Sequence, residues 1–262
     1  MEKKVTKKVI NLLKSDTEYY TGIGKQFLSN SDIGTLLKNP QLYGVPQPDN
    51  KSFIMGRYFH CKMLEPEKLG EYLIANVSSR NSKAYREFCA EHLIPYAMLK
   101  PEQEEVDSWC DTMLGHMDFY DLIQDKGNQN EVPMVKNIGE YEGGALWKGK
   151  ADIVHKDYVI DLKTSGDITK FKNSVYNYNY DSQGYIYREL FGKPILFLVI
   201  DKTTKVMGMY ELSDESYERG ANKVEQALKV YKTFFGEDRT KDIELHYLCL
   251  LYTSPSPRDV ST

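Results

Sequence analysis

The sequence predicts an α/β or α+β domain in which a small mixed β-sheet is flanked by helices. Helical apolar spacing dominates the first half of the chain, short β-rich runs with glycine-containing turns follow between residues 132 and 161, and the apolar run Ile195–Ile200 lies between two further helical segments. The predicted order is helices, three strands, helices, two strands and a final helix, which is typical of one sheet packed against helices. The 262 residues contain no internal repeat or linker, so we expect a single domain.

The N-terminal half contains the first group of predicted helices. Ser29 or Ser31 can cap a short helix that ends before Pro40. A later helix has apolar residues at helical spacing and places Gly56 and His60 four residues apart on one face. The predicted segments are the helices Val5–Leu13, Ser29 to Pro40, Ser52–Leu64, Ser82–Glu91 and one that begins at Pro101, and the short strand Tyr72–Ala75.

The second half begins with strands. The segment ALWKGKADIVHKDYVIDLKTS, which starts at Ala145, alternates in the manner of two antiparallel strands joined by a tight turn. The remaining predictions are a helix near Asp167–Tyr176, a helix at Ser182–Leu190, the strands Pro194–Ile200 and Lys205–Leu212, and a long amphipathic helix at Ser213–Phe235.

Composition excludes several classes of protein. Hydrophobic residues make up 41% of the chain and charged residues 27%, which excludes a disordered or fibrous protein. Purely apolar runs reach only six residues, as in Ile195–Ile200, whereas roughly 20 are needed to cross a bilayer. Because no secretory signal is recognisable either, we expect a soluble cytoplasmic protein with no membrane partner. The four cysteines lie far apart without a CxxC pair, which argues against a zinc knuckle, an iron–sulfur cluster and a disulfide framework.

The charge balance limits how the protein could contact nucleic acid. With 34 lysines and arginines against 38 acidic residues, the formal net charge is −4. Whole-molecule attraction to DNA is therefore absent, and DNA contact would need a local basic groove. The chain also lacks a phosphate-binding GxxxxGK[ST] sequence, so there is no built-in ATP motor.

Two aspartates in the predicted hairpin form the strongest candidate site. If the chain turns at Lys156 and Asp157, paired residues have numbers that sum to 313, and Asp152 lies opposite Asp161. Alternation then gives the hairpin a core face and a second face that carries both carboxylates and Lys163. The core face consists of Ala151, Ile153, Tyr158, Ile160 and Leu162, and the second face of Asp152, Val154, Val159, Asp161 and Lys163.

Facing carboxylates repel each other and destabilise a sheet unless a cation lies between them. Mg²⁺ suits such a site, because it takes oxygen ligands and needs only one or two carboxylates besides substrate phosphate. Lys163 could orient or deprotonate an attacking water and stabilise charge on the phosphate. The alternative is a surface hairpin whose charges face water. Glu140 and Glu142 could add a carboxylate, but their sequence is equally typical of an exposed turn.

The sequence resembles the PD-(D/E)xK nuclease superfamily. The motif on which the resemblance rests begins with GKAD, which ends at Asp152. D-L-K follows nine residues later, from Asp161 to Lys163, and here Asp161 stands in place of the commoner Glu. The closest likeness is to the RecE-type phage exonucleases (exonuclease VIII type), whose core is RecB-like. Supporting segments are SDIGTLLKNPQLYG, GRYFHCKMLEPE and Gln183 to Tyr187, and the resemblance covers residues 28 to 235. It implies a restriction-endonuclease-like core.

The resemblance also implies roles for particular side chains. His60 would be the extra metal ligand beside Asp152 and Asp161, and an imidazole ligand suggests that Mn²⁺ can substitute for Mg²⁺; the alternative is a histidine that only packs its helix. Gln183 and Tyr187 match a Q-x-x-x-Y pattern found beside the active site and DNA of these nucleases. We group Lys150 with them as DNA-binding or active-site support. A cluster of tyrosines with basic residues nearby would suit stacking on frayed bases, and among them we favour Tyr187. The cluster consists of Tyr176, Tyr178, Tyr180, Tyr185 and Tyr187, with Lys170, Lys172 and Arg188 nearby.

The function that the resemblance implies is a Mg²⁺-dependent exodeoxyribonuclease. It would resect linear double-stranded DNA from its ends, in the 5′ to 3′ direction, for phage-type recombination by single-strand annealing. An annealing protein would be its partner, the nuclease would be a homo-oligomer, and a phage or prophage would encode it in a bacterial host. The alternatives are a non-catalytic DNA-end-binding recombination protein with the same fold, and a sequence-specific endonuclease, for which no recognition domain is visible.

The extreme C-terminus differs from the rest of the chain. CLLYTSPSPRD, which begins at Cys249, resembles the translation of a sequencing adapter, although a Ser/Pro-rich disordered tail has the same composition. We therefore predict a single nuclease domain over residues 1–248 and a non-native tail over residues 249–262.

Overall fold

The computed structural model of the protein describes residues 5–237 and 239–246, so the predicted tail at residues 249–262 lies outside the described residues. The strands of the described residues are β1 (Ile74–Ala75), β2 (Met98–Leu99), β3 (Gln129–Ile138), β4 (Ala145–Val154), β5 (Val159–Ser165), β6 (Ile195–Asp201) and β7 (Met207–Glu211). Strands β1 and β2 form a small parallel pair, and β3 to β7 form one sheet in the order β3-β4-β5-β6-β7. Within this five-stranded sheet β5 and β6 pair in parallel and the other neighbours are antiparallel, which confirms the predicted mixed sheet.

Helices cover both faces of this sheet. Short 3₁₀ turns connect several of them, and none of the described helices is long and apolar enough to span a membrane. The α-helices are α1 (Lys7–Leu12), α2 (Asp16–Tyr20), α3 (Asn30–Lys38), α4 (Lys51–Leu64), α5 (Lys83–Glu91), α6 (Lys100–Leu114), α7 (Met117–Gln124), α8 (Phe171–Asn177), α9 (Tyr180–Phe191) and α10 (Asp214–Phe234).

Capping residues explain where several helices begin. Of the two serines considered for α3, Ser29 is the cap: its backbone N–H and its hydroxyl both donate to Asp32 Oδ2, at 2.7 and 2.8 Å. Ser82 accepts a hydrogen bond from the backbone of Tyr85 at the start of α5, as predicted, and Ser213 caps α10. These caps satisfy amide groups that have no partner within the helix.

The sheet divides the core into two apolar layers. Strand β6 is buried along its whole length, because it has neighbours on both edges and helices on both faces. Phe197 and Val199 point into a layer made with α3, α9 and α10, while Leu198 and Ile200 point into a second layer made with α4, α6 and α7. Because both faces of β5 are also covered, the hairpin β4–β5 is not the surface hairpin that we considered as an alternative.

A buried ion-pair network joins α9 to α10. The Asp181 carboxylate, at the start of α9, is fully buried and contacts Arg219 Nε at 2.9 Å and Lys223 Nζ at 2.8 Å. The two helices approach closely there, since a Cβ atom at Gly220 would lie 2.2 Å from the Asp181 carbonyl oxygen. Removing one partner of a buried pair is destabilising, so this contact holds α9 firmly beside the sheet.

The predicted facial pattern is wrong at one position. Ala151 packs in the α9–α10 layer, whereas Ile153, two residues later, packs in the α4–α6 layer. The pairing of β3 with β4 passes from Asn130–Ile153 to Val132–Ala151, and the intervening Glu131 has a positive φ of 50°. This local distortion changes the face on which the β4 side chains lie.

Candidate active site

The register of the β4–β5 hairpin agrees with the predicted sum of 313. Ile153 pairs with Ile160 and Val154 pairs with Val159. His155 donates its backbone N–H to the Tyr158 carbonyl at 3.0 Å, so the turn lies at Lys156 and Asp157. One step further into the sheet, Asp152 and Asp161 occupy the next opposite positions.

The two strands separate beyond Ile153 and Ile160, which form the last backbone pair of the hairpin. In a continued ladder the Leu162 amide would donate to a β4 carbonyl. It donates instead to Asp152 Oδ2, at 2.7 Å. The Asp152 side chain therefore takes the place of a backbone partner, and its carboxylate is held inside the gap between the strands.

A cluster of three potential metal ligands surrounds Asp152. His60 from α4 has Nδ1 3.1 Å from Asp152 Oδ2, and Glu131 of β3 lies opposite Asp152 in the strand register. One ligand atom from each of these three side chains lies within 4.8 Å of the others. Asp161 does not join this three-residue cluster, although we predicted it together with Asp152 and His60.

Burial and charge act in opposite directions on this cluster. Burial disfavours the charged form of Asp152, but the neighbouring His60 and Lys163 charges and the Leu162 amide lower the pKa of this carboxyl overall. Burial also opposes protonation of His60, yet the Asp152 charge and hydrogen bond raise its pKa. Burial and repulsion from Asp152 raise the pKa of Glu131 to about 7. Of the two carboxyl groups in the cluster, Asp152 therefore holds its negative charge more easily than Glu131.

Asp161 is held by residues from two elements. Gln183 of α9 donates its side-chain N–H to Asp161 Oδ1 at 2.5 Å, and Lys163 Nζ lies 2.6 Å from Asp161 Oδ2. Asp161 Oδ2 is buried, and the ion pair with Lys163 takes the place of an aligned hydrogen bond there. Burial first, and repulsion from Asp152 second, keep the pKa of Asp161 above its ordinary value in spite of Lys163.

Lys163 is a protonated group at the edge of the cleft. Burial disfavours its charge, but Asp161, the adjacent Tyr180 and Asp152 outweigh this effect and raise the pKa of Lys163. Its ammonium lies 4.8 Å from the centre of the Tyr180 ring. These surroundings favour a role in orienting water and stabilising negative charge, rather than the proton removal that we also considered.

Lys150 and Tyr187 support the site from β4 and α9. Tyr187 is buried and donates its hydroxyl hydrogen to the Lys150 carbonyl at 2.8 Å. The buried Lys150 ammonium pairs with Asp16 of α2 and lies 3.6 Å from Glu131 Oε2. The predicted support residues are therefore brought to the same cleft, but Tyr187 contacts the backbone of a strand and does not offer its ring for stacking.

These residues line a cleft of about 720 Å³. Its lining contains one more carboxylate than basic side chains, histidine apart, so it is not the basic groove that the net charge led us to expect. The acidic residues are Asp16, Glu65, Glu71, Glu131, Asp152 and Asp161, and the basic ones are Arg57, Lys68, Lys148, Lys150 and Lys163.

Most of the predicted stacking residues lie elsewhere. Tyr176 and Tyr178 are exposed, and only Tyr180 and Tyr187 of that segment line the cleft. The Arg188 guanidinium lies over the Tyr217 ring at 3.9 Å, on the α9–α10 side. The tyrosine-rich segment therefore packs helices and contributes one half-buried ring, that of Tyr180, beside Lys163.

The donor set fits a divalent cation. The cluster supplies two carboxylates and one imidazole, and the buried Asp161 Oδ2 next to it has no hydrogen bond. Oxygen ligands suit Mg²⁺, and the imidazole also suits Mn²⁺. His60, Glu131 and Asp152 are therefore the residues that would hold such an ion, and Asp161 lies beside them on β5.

Two residues of the candidate site were not predicted from the sequence. Glu131 lies one residue before the segment that we assigned to strands, although the β3–β4 register places it opposite Asp152. Asp16 reaches Lys150 from a helix more than a hundred residues earlier in the chain. Strand register could have identified Glu131, whereas no local pattern identifies Asp16.

Comparison with known proteins identifies a family and a structural likeness. Residues 38–241 match the family model described as a PDDEXK-like domain of unknown function, DUF3799. A crystal structure titled "Putative exonuclease" from Eubacterium rectale is similar, with a TM-score of 0.62, 17% sequence identity and coverage of 94% of this chain and 96% of that chain. At this identity the likeness shows a shared fold.

Other comparisons add little. The crystal structure of SSO0001 aligns at 15% identity over 79% of this chain and 98% of that chain, but its TM-score of 0.31 is too low to support an argument. No curated protein matches the chain in sequence.

Proposed function

Because the chain belongs to the DUF3799 family of PDDEXK-like domains, we propose that it is a divalent-metal-dependent nuclease that hydrolyses DNA phosphodiesters. The observation that carries the proposal is the meeting of Asp152, Asp161 and Lys163 at the point where β4 and β5 separate. Two buried carboxylates and a half-buried ammonium on adjacent strands are costly for folding, and an enzyme uses such groups on a charged substrate.

The net reaction adds water across a phosphodiester. The water oxygen forms a bond to phosphorus, the bond from phosphorus to one ester oxygen breaks, and that oxygen takes a proton. When bound, Mg²⁺ or Mn²⁺ would supply Lewis-acid stabilisation of the phosphate and activation of the water. Asp152, Glu131 and His60 would hold the ion, and Asp161 would complete the site from the adjacent strand.

The protein side chains provide orientation and charge. Gln183 fixes Asp161 Oδ1, and Asp161 Oδ2 lies against the Lys163 ammonium. The Lys163 ammonium, protonated beside Asp161, stabilises the charge that develops on the phosphate oxygens. Tyr187 holds the β4 backbone at Lys150, which keeps Asp152 at the correct distance from β5.

The finer assignment follows the sequence resemblance. We infer an exodeoxyribonuclease of the RecE type that resects linear duplex DNA for phage recombination, works with a single-strand annealing protein and acts as a homo-oligomer in the cytoplasm of a bacterial host. The presence of Asp152, Asp161, Lys163 and Gln183 in one cleft supports catalysis over the alternative, a DNA-end-binding protein that does not cut.

Incubation with end-labelled linear duplex and covalently closed circular duplex, each with Mg²⁺ or EDTA, tests this proposal. We expect linear DNA to be degraded from its ends with Mg²⁺ and closed circles to survive. Rapid cutting of closed circles would identify an endonuclease. Binding of DNA ends without cleavage at any Mg²⁺ or Mn²⁺ concentration would favour the non-catalytic alternative.

A further inference from the structure

We propose that the strand to be cut enters the cleft unpaired, and that Tyr20 and Phe53 stack on its bases. This inference rests on the proposed nuclease function and names its substrate class: a single-stranded DNA segment, such as the frayed or recessed end of a duplex. Tyr20 comes from α2 and Phe53 from α4, so the two rings approach the same cleft from different elements.

The size of the cleft favours one strand over two. Its volume of about 720 Å³ lies within the 300–1,000 Å³ typical of sites that hold small molecules. Such a space accommodates a few nucleotides of a single strand, whereas a duplex would have to remain outside. Because Asp152 and Asp161 are buried at the bottom of this space, the scissile phosphate must leave the duplex to reach them.

One face of α4 leads from the ligand cluster to the mouth of the cleft. Phe53, Arg57 and His60 follow one another at three- and four-residue spacing and all line the cleft. At 1.5 Å per residue, Phe53 lies roughly 10 Å along the helix from His60. Phe53 is 44% exposed, and no atom lies within 4 Å of a Cβ added at Gly56, so this face is open between ring and ligand.

Tyr20 occupies a comparable position on the α2 side. Tyr20 is 62% exposed, and its ring packs edge-on against Tyr19 at 4.9 Å and lies 5.5 Å from the Lys150 ammonium. The exposed ring is thus held by its neighbours and has a free face.

The combination of rings and cations fits a nucleic acid strand. Arg57, Lys68 and Lys150 line the cleft beside the exposed rings, but each is paired with a carboxylate, so the charge of the phosphates would have to be offset mainly by a bound cation. The exposed rings offer aromatic faces, and stacking of bases on aromatic side chains is tolerant of sequence, because each base has a π-face.

The experiment measures coupling between these rings and the bases. Fluorescence anisotropy gives the Kd of a labelled single-stranded oligonucleotide, of the same oligonucleotide with abasic sites near its end, and of a blunt duplex. Ca²⁺ replaces Mg²⁺, because it takes the same oxygen ligands in a more flexible geometry. We expect the parent to bind the normal strand about ten-fold more tightly than the abasic strand or the blunt duplex, the range of a base–aromatic contact.

The variants separate stacking from other effects. The double variant Tyr20→Leu/Phe53→Leu should bind the normal and abasic strands equally, because the groups that distinguish them are gone. Tyr20→Phe keeps the ring and should retain discrimination. Tyr120→Leu is a matched control, since Tyr120 is 50% exposed on α7 and does not line the cleft.

The outcomes distinguish this inference from the proposed function. If the parent cleaves linear DNA but binds normal and abasic strands equally, the stacking inference is wrong and the nuclease proposal stands. If the double variant keeps the ten-fold discrimination, Tyr20 and Phe53 do not contact bases, and the inference is again overturned. If the parent neither binds nor cleaves DNA, the proposed function fails, and this inference fails with it.

Discussion

Gln183 and Asp161 are joined by a 2.5 Å hydrogen bond that ties helix α9 to strand β5. One turn later in α9, Tyr187 contacts the Lys150 backbone of β4. The two residues of the Q-x-x-x-Y pattern therefore reach the two strands that separate at the candidate site. The pattern makes α9 a brace across the gap, and the buried Asp181 pairs hold this brace in place from α10.

Replacing Lys163 tests the role of its charge. Lys163→Ala should lower the cleavage rate by about 10² to 10³-fold, the effect of removing one preorganised charge-stabilising group. Binding of metal and of DNA should change little, because the ligand cluster remains. Single-turnover cleavage and anisotropy measure the two quantities. Lys83→Ala, at an exposed position on α5, is the control, and a drop of less than three-fold in Lys163→Ala would refute the assignment.

Replacing a ligand should change the metal titration. We expect His60→Ala and Glu131→Gln each to raise the Mn²⁺ concentration for half-maximal binding by about ten-fold or more, as measured by calorimetry. His92→Ala is a suitable control, because His92 is exposed at the end of α5. An unchanged titration in His60→Ala would mean that this histidine only packs its helix, and the same result in Glu131→Gln would exclude the glutamate.

The two aspartates should respond oppositely to neutralisation in EDTA. The pKa of Asp152 is lowered by its neighbours, so its charge is favoured in the folded state, whereas that of Asp161 is raised. Asp152→Asn should therefore lower the melting temperature and Asp161→Asn should raise it, each by about 2–4 °C for an effect of about 1 kcal/mol. Repulsion between the facing carboxylates, taken alone, would predict that Asp152→Asn stabilises the protein. Melting-temperature shifts in the same direction for both variants would contradict the prediction.

Glu131 should make stability depend on pH. Its pKa rises from 4.5 in an unfolded chain to about 7 in the folded protein. Between these values the folded state holds the proton more tightly, so the free energy of unfolding falls as pH increases. The effect is up to about 3 kcal/mol. In EDTA, the melting temperature should fall between pH 5 and 8 in the parent and fall less in Glu131→Gln; equal slopes would show that Glu131 titrates normally.

DNA binding should require a divalent cation. The carboxylates that line the cleft outnumber its lysines and arginines by one, so a polyanion gains little attraction there without added positive charge. We expect the Kd for an oligonucleotide to be at least ten-fold weaker in EDTA than in Ca²⁺ at equal ionic strength. Similar affinities under both conditions would mean that the principal DNA contacts lie on another surface.

Local chemistry explains what the sequence predicted well. The two-residue turn at Lys156 and Asp157 sets the hairpin register, so the positions of Asp152 and Asp161 followed from counting residues. Capping of α3 and α5 by serines is equally local. The predicted superfamily is confirmed as a PDDEXK-like domain, whereas the RecE-type branch and the single-domain boundaries stay predictions.

Long-range geometry explains what was missed. Ala151 changed face because β4 is distorted opposite Glu131, whose positive φ no residue pattern indicated. Asp16 pairs with Lys150 only because α2 packs beside β4. The charge balance of the cleft likewise depends on side chains from several elements, so the net charge of the chain could not predict it.

The hydrogen bond from the Leu162 amide to Asp152 makes one backbone proton a reporter for the active site. The chemical shift of this amide proton depends on the charge of a single carboxylate, because the amide donates to Asp152 and not to a β4 carbonyl. Titration of Asp152, binding of an ion and arrival of a substrate phosphate each change the electron density of that oxygen. A ¹⁵N-labelled sample could therefore follow the occupancy of the site through Leu162 alone, without a chromophore, a radiolabel or turnover.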